Sequence, residues 1–181
     1  MTLQEIGETI VTFVRTNPQW LAPMLLLLAF GESIAFLSLI LPFWWMLIAL
    51  GAMVAPGSTE FFIALVAASI GAGLGDWVSY WLGYYFSDNI KGMWPFTRYP
   101  DLMPKGEAFF QKYGVWAIVL GRFSGPLRAT VPVVAGATRM HWVPFQIANW
   151  LSAFLWAGVL MIFGGGVGQL FGYLSKTFGW S

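Results

Sequence analysis

Between Trp20 and Ala55 the chain carries one ionisable side chain, Glu32. No other feature restricts the fold as much. As one straight helix this stretch would be about 50 Å long from the helical rise per residue, whereas the hydrocarbon core of a bilayer is about 30 Å thick. Gly31-Glu32 and Pro42 interrupt it. The stretch is therefore expected to break into two shorter pieces, as a re-entrant hairpin or a broken span over 20–55.

Composition supports a lipid solvent. Of the 181 residues 58% are apolar and 9% are charged, against roughly 25% charged in a soluble domain. So few charges cannot cover a water-facing surface. The formal net charge of +1 suggests neither a nucleic-acid nor a strongly acidic partner. The chain has no cysteine, which excludes disulfides, thiolate metal sites and cysteine nucleophiles. Glu5 and Glu8 stand where a signal peptide would be basic, so no cleaved leader is expected. Most of the 11 tryptophans and 16 phenylalanines read as lipid-facing bulk, with aromatic rings gathering at membrane interfaces.

The remaining pattern divides the chain. Residues 2–16 place Leu3, Ile6, Ile10, Phe13 and Val14 at helical spacing among polar residues, the mark of an interfacial amphipathic helix. Asn17-Pro18 ends it. Residues 61–86 suit a full transmembrane span; Gly71, Gly73 and Gly75 give it a small-residue face, where a second copy of the chain is one expected partner. Residues 87–112 form a polar connection with a short helix near 104–112. Residues 113–137 are apolar again but contain Arg122 and Arg128. Residues 142–163 read as an uncharged span. Gly164-Gly165-Gly166 is expected to loosen the chain before a tail over 164–181.

The two halves share a weak pattern. Pro42 follows Glu32 by ten residues, and Pro132 follows Arg122 by ten. Paired interrupted segments point to an inverted-repeat transporter. The fold class expected is an all-α integral membrane protein, with two re-entrant helical segments and full spans in a pseudo-inverted repeat. The connection and Arg139 hold five basic residues against Arg15 and Lys176 elsewhere, which places 87–112 in the cytoplasm.

The intramembrane charges carry the functional signal. An arginine at the centre of a membrane helix costs about 3 kcal/mol on insertion scales. Gly125-Pro126 between Arg122 and Arg128 should break the helix. Pro126 and Pro132 would free the carbonyls of Arg122 and Arg128 if the backbone is otherwise helical. Such groups need a wet or protein-lined cavity, and guanidinium suits a phosphate oxyanion. The alternative is a pair of arginines that snorkel or bind Glu32 and Asp76 for structure alone. Glu32 is a proton site, a counter-ion or a helix-end carboxylate; Asp76 is a second proton site or a hydrogen-bonding anchor. Lone His141 lacks a second ligand at metal spacing and reads as structural. No metal site, phosphate loop or catalytic triad is present in the sequence, so no enzyme and no cofactor is expected.

The run Gly121-Arg122-Phe123-Ser124-Gly125-Pro126-Leu127-Arg128-Ala129-Thr130-Val131-Pro132-Val133-Val134-Ala135-Gly136 resembles the signature of DedA-type membrane proteins, the bacterial branch of the VTT-domain superfamily. Phe30-Gly31-Glu32, Gly75-Asp76 with Tyr80 and Gly83, and Asn149 with Trp156 are similar to its other motifs. The resemblance covers roughly residues 20–170. It implies a bacterial inner-membrane location and two re-entrant segments facing each other. It also implies translocation of phospholipid or undecaprenyl phosphate that depends on the proton-motive force. It gives functional weight to Glu32, Arg122 and Arg128, with Pro42, Gly121, Pro126, Pro132 and Gly136 shaping the backbone. One departure stands out. Leu41-Pro42-Phe43-Trp44-Trp45 carries tryptophan where many members have an aspartate. Either Asp76 takes that part, or the chain is uncoupled from protons or takes another lipid.

The expected function is a lipid flippase in which Arg122 and Arg128 hold a headgroup phosphate and Glu32 pairs with an arginine between cargoes. The competing readings are a proton-coupled transporter of a small solute or ion, and a non-transporting membrane scaffold.

Overall fold

The computed structural model describes the backbone of residues 3–35, 37, 44–87, 97–124 and 127–178. Pro42, Gly125 and Pro126 lie outside the described residues. Among the described residues there are eight α-helices and one 3₁₀ turn, Pro18–Trp20, with no strand: α1 Leu3–Thr16, α2 Leu21–Ser33, α3 Trp44–Gly51, α4 Thr59–Tyr85, α5 Leu102–Tyr113, α6 Trp116–Arg122, α7 Leu127–Ala137 and α8 Trp142–Phe178.

Two helices, α4 over 59–85 and α8 over 142–164, are long and apolar enough to cross a bilayer. Their outward faces are what lipid requires. Phe62, Ile63 and Val66 on α4 are exposed, as are Ile147, Leu151, Phe154, Leu155, Val159 and Ile162 on α8. A continuous stripe of that size would be a liability in water. Ser58 starts α4 by accepting the Phe61 N–H at 3.1 Å, with Glu60 in the positive first turn.

Helix α4 is the hub, with α2, α7 and α8 packed on it. Glycine permits this closeness. A side chain at Gly71 would strike the Leu26 carbonyl, and one at Gly75 would meet the Phe30 carbonyl at 2.5 Å and Ser33 at 2.7 Å. Gly73 lies under Trp150. The small-residue face does let another helix approach closely, and that helix is α2 of the same chain, with Trp150 beside it. Gly83 meets the Val133 carbonyl, and Gly136 on α7 meets that of Tyr80. An apolar core from α2, α3, α4 and α8 includes Leu25, Leu28, Leu47, Leu50, Ala68 and Met161.

Helix α1 lies on the bundle rather than apart from it. Gly7 is covered by the Trp45 ring, and Val14 is fully buried, while Ile6 and Phe13 remain exposed. Asn17 closes α1 through its backbone and side-chain N–H groups, both donated to the Phe13 carbonyl.

The long apolar stretch does break. Helix α2 runs through Gly31-Glu32 and ends at Ser33, where Ile34 turns extended. The stretch that carries Arg122 and Arg128 also breaks, with α6 ending at Arg122 and α7 starting at Leu127. Pro132 sits inside α7 and has no N–H for the Arg128 carbonyl. The glycine run 164–166 does not interrupt α8, which continues to Phe178. Gly164 instead lies against the Ile48 carbonyl, so packing of α3 against the helix explains the glycine there.

Helix α7 closes with Arg139 in the left-handed region at φ 52°. Arg139 N–H is donated to the Gly136 carbonyl and Met140 N–H to that of Ala135. This is the arrangement in which glycine is the usual residue.

Candidate functional site

The breaks in the two interrupted stretches meet on the inner face of α4. One end of α2 brings Glu32 and Ser33. Helix α4 brings Asp76 and Ser79, three apart and so on one face. Arg122 arrives at the end of α6 and Arg128 in the first turn of α7. Helix α8 adds Asn149, Ser152 and Trp156, spaced at one helical face.

The α2 break is satisfied by a single hydroxyl. Ser79 Oγ accepts the Ala35 N–H at 2.9 Å, and its single O–H is shared between the Ser33 carbonyl at 3.1 Å and the Gly75 carbonyl at 3.0 Å. Non-helical backbone at membrane depth is tolerated only where protein or water meets its polar groups. Here one fully buried serine meets two of them.

Two ion pairs lie beside this break. Arg122 Nη2 donates to Asp76 Oδ2 and, at 2.8 Å, to Asn149 Oδ1. Its Nε donates to Ser152 Oγ at 3.0 Å. Asn149 is itself held by donating from Nδ2 to the Gly73 carbonyl at 2.9 Å. Arg128 Nη1 donates to Glu32 Oε1 at 3.2 Å, and Nη2 to Ser33 Oγ at 3.1 Å. The Arg128 guanidinium carbon stands 4.5 Å from the centre of the Trp156 ring, within cation–π range.

Accessibility separates the pairs. The Arg122 and Asp76 side chains are 1% and 6% exposed, whereas those of Arg128 and Glu32 are 14% and 9% exposed. Among the described residues Arg122 Nη1 and Arg128 Nε are buried donors with no hydrogen-bond partner. Each guanidinium thus keeps a free N–H edge in a setting where such an edge is expensive. Guanidinium groups of this kind can hold an oxyanion, and Arg128 is the more accessible of the two.

The structure thus joins Glu32 to Arg128 and Asp76 to Arg122. Gly121 packs under Val131 and Gly136 against α4, so both act here as points of close approach. His141 lies away from the site, exposed at the start of α8. Among the described residues no three metal-ligating side chains converge. Sequence reasoning gave no role to Ser33, Ser79 or Ser152. The signal available for Ser152 was the i, i+3, i+7 recurrence of Asn149, Ser152 and Trp156 in a largely apolar span.

A family profile described as VTT domain matches residues 41–166. The inner membrane protein YabI of Escherichia coli K12 is 34% identical over 145 residues, covering 80% of this chain and 57% of the relative. The inner membrane protein YghB of the same strain is 33% identical over 123 residues, 66% of this chain and 55% of the relative. An uncharacterized membrane protein, BU139, of Buchnera aphidicola is 31% identical over 133 residues, 74% of this chain and 52% of the relative. The chain spans about half the length of these curated relatives. No solved structure matches it.

Proposed function

The chain belongs to the VTT-domain family, among DedA inner membrane proteins, and from that premise we propose that it moves a phosphate-bearing lipid across the inner membrane. The cargo class is a phospholipid or undecaprenyl phosphate. One observation carries the reading: two guanidinium–carboxylate pairs stand inside an apolar bundle, where the helices break, with N–H edges left over. A charge buried in a membrane is retained against a large desolvation penalty, which favours a role beyond holding helices together.

The two pairs take different parts. Arg122, held by Asp76, Asn149 and Ser152, anchors α6 to α4 and α8 and fixes the field in the gap. Arg128 exchanges partners. A phosphate oxyanion enters beside it, takes both guanidinium edges in place of Glu32 and Ser33, and leaves Glu32 to accept a proton. Trp156 keeps the guanidinium plane oriented during the exchange. The tails stay in the bilayer, so no large enclosed cavity is needed. In this reading α2–α3 and α6–α7 are re-entrant arms from opposite faces, related as an inverted repeat, and protons are the coupling ion.

The test is a vesicle assay with fluorescent phosphatidylglycerol or undecaprenyl phosphate, reading movement between leaflets per protein. Arg128→Ala is expected to slow movement at least about tenfold, the loss of one charged hydrogen-bonded contact. Arg122→Ala slows it too, with a loss of thermal stability that Arg128→Ala does not match. Parent-like rates in both variants would end the headgroup role. Flux of a water-soluble solute without lipid movement would select the small-solute transporter.

A further inference from the structure

At the end of the bundle where α4 finishes and α8 begins lies a cavity of about 610 Å³. It is lined in part by Trp81, Tyr84, Tyr85, Arg139, His141 and Trp142. None of these residues belongs to the buried ion-pair site. We propose that this cavity is a surface site for a phosphoryl anion, with Arg139 as its cation, and that it holds the headgroup of an anionic lipid or free phosphate. The inference goes beyond lipid movement: it stands whether or not Arg122 and Arg128 carry cargo.

Three observations converge on it. The first is the backbone of Arg139. At φ 52° a non-glycine residue is strained by its Cβ, and the helix ending it completes favours glycine. An arginine here gives up stability that glycine would supply, and an outlier of this kind points to use of the side chain. The second is chemistry. The Arg139 guanidinium carbon lies 5.7 Å from the centre of the Tyr84 ring, so the ring carries the cation beside the cavity. Arg139 is exposed and has no carboxylate partner among the described residues. Tyr84, Tyr85, Trp81, Trp142 and His141 among the lining residues also carry groups able to hydrogen-bond. Guanidinium with neutral donors is the usual recognition set for phosphate.

The third is position. Trp81, Tyr84, Tyr85 and Trp142 form an aromatic band at the ends of the two spanning helices; Trp81 and Tyr85 stack at 5.0 Å. Such bands sit at headgroup depth. The cavity floor is fixed rather than loose, because the Tyr80 hydroxyl donates to the Met140 carbonyl at 2.6 Å and the Tyr80 ring stacks on Phe145 at 4.3 Å. An anion entering from the interface meets a held cation and aromatic walls, and its tails remain in the bilayer.

The experiment is residue-resolved labelling of the full chain with phenylglyoxal, an arginine reagent, in micelles of a neutral sugar detergent. Doping the micelles with phosphatidylglycerol is expected to slow modification of Arg139 about tenfold, in line with a charge-assisted contact. Arg15 and Arg98, both exposed, serve as internal references and slow less than about twofold in the same samples. Inorganic phosphate is the second arm. Protection by phosphatidylglycerol alone assigns the site to a lipid headgroup, and equal protection by inorganic phosphate assigns it to the free anion. No protection by either, or equal slowing at all three arginines, overturns the proposal. Arg139→Gly relieves the backbone and should melt no lower than the parent, yet lose one phosphatidylglycerol adduct by native mass spectrometry. Retention of every adduct by this folded variant also overturns it. Because the readout is at Arg139, failure here leaves the buried-site reading untouched, and failure of lipid movement leaves this one standing.

Discussion

Replacing Asp76 by Asn separates an ionic anchor from a merely polar one. In the parent the Arg122 guanidinium is held through Nε and Nη2 by Asp76, Asn149 and Ser152 at 1% side-chain exposure, with Nη1 left over. The variant leaves a full positive charge facing neutral partners only. Breaking a buried pair from one side costs about 3–5 kcal/mol. The surviving contacts to Asn149 and Ser152 put Asp76→Asn near the low end, about 3 kcal/mol. At about 2–4 °C per kcal/mol for a chain of this size, the melting point in detergent should fall by about 6–12 °C. Arg122→Met leaves the carboxylate buried alone and should fall further. The double variant Arg122→Met with Asp76→Leu removes both charges and should return to within about 1 kcal/mol of the parent, because an apolar pair of similar volume replaces a costly ionic one. Tryptophan fluorescence through a thermal ramp reads all four proteins. If Asp76→Asn melts within about 2 °C of the parent, the pair is not the buried ionic anchor described here. A double variant as unstable as the worse single variant would sink the same argument.

Four further outcomes follow from particular contacts. Ser79→Ala strands the Ala35 N–H and the Ser33 carbonyl and should destabilise by about 1–3 kcal/mol per group left unsatisfied, read by the same melt. Gly83→Ala drives a methyl into the Val133 carbonyl and should abolish accumulation of folded protein in the membrane. Gly166→Ala, with nothing within 4 Å, should be tolerated and gain up to about 1 kcal/mol of helix propensity. Trp156→Leu removes the ring beside Arg128; it should slow lipid movement several-fold, and lower stability by about 0.5–2 kcal/mol for the lost cation–π contact plus the packing lost where the ring is buried.

What was legible in the sequence was what lipid enforces. Spans and breaks follow from hydrophobic length: the apolar stretches 59–85 and 142–164 lie close to the expected 61–86 and 142–163, and the breaks fall just past Gly31-Glu32, at Ile34, and within the Arg122–Arg128 interval. Pairing was less legible. Charges in a membrane must find partners, but which carboxylate meets which arginine depends on how α2, α6 and α7 lean on α4, and no local pattern encodes that. The glycines mislead when read alone. Gly71, Gly73 and Gly75 look like a dimer face, yet α2 and Trp150 cover them; Gly164-Gly165-Gly166 looks like a loosened joint, yet α8 runs through it. Small residues announce that something comes close without saying whether it is another copy, another helix or a ring. Serines were the quietest residues. Ser79 gains its role only because α2 happens to end beside it.

The most direct measurement is the lipid held by purified protein, read by native mass spectrometry with Arg139→Gly as the background so that the surface cavity does not contribute. The account predicts that this background retains a phosphate lipid, and that adding Arg128→Gln lowers its occupancy about tenfold. The same lipid at the same occupancy in both proteins would contradict it.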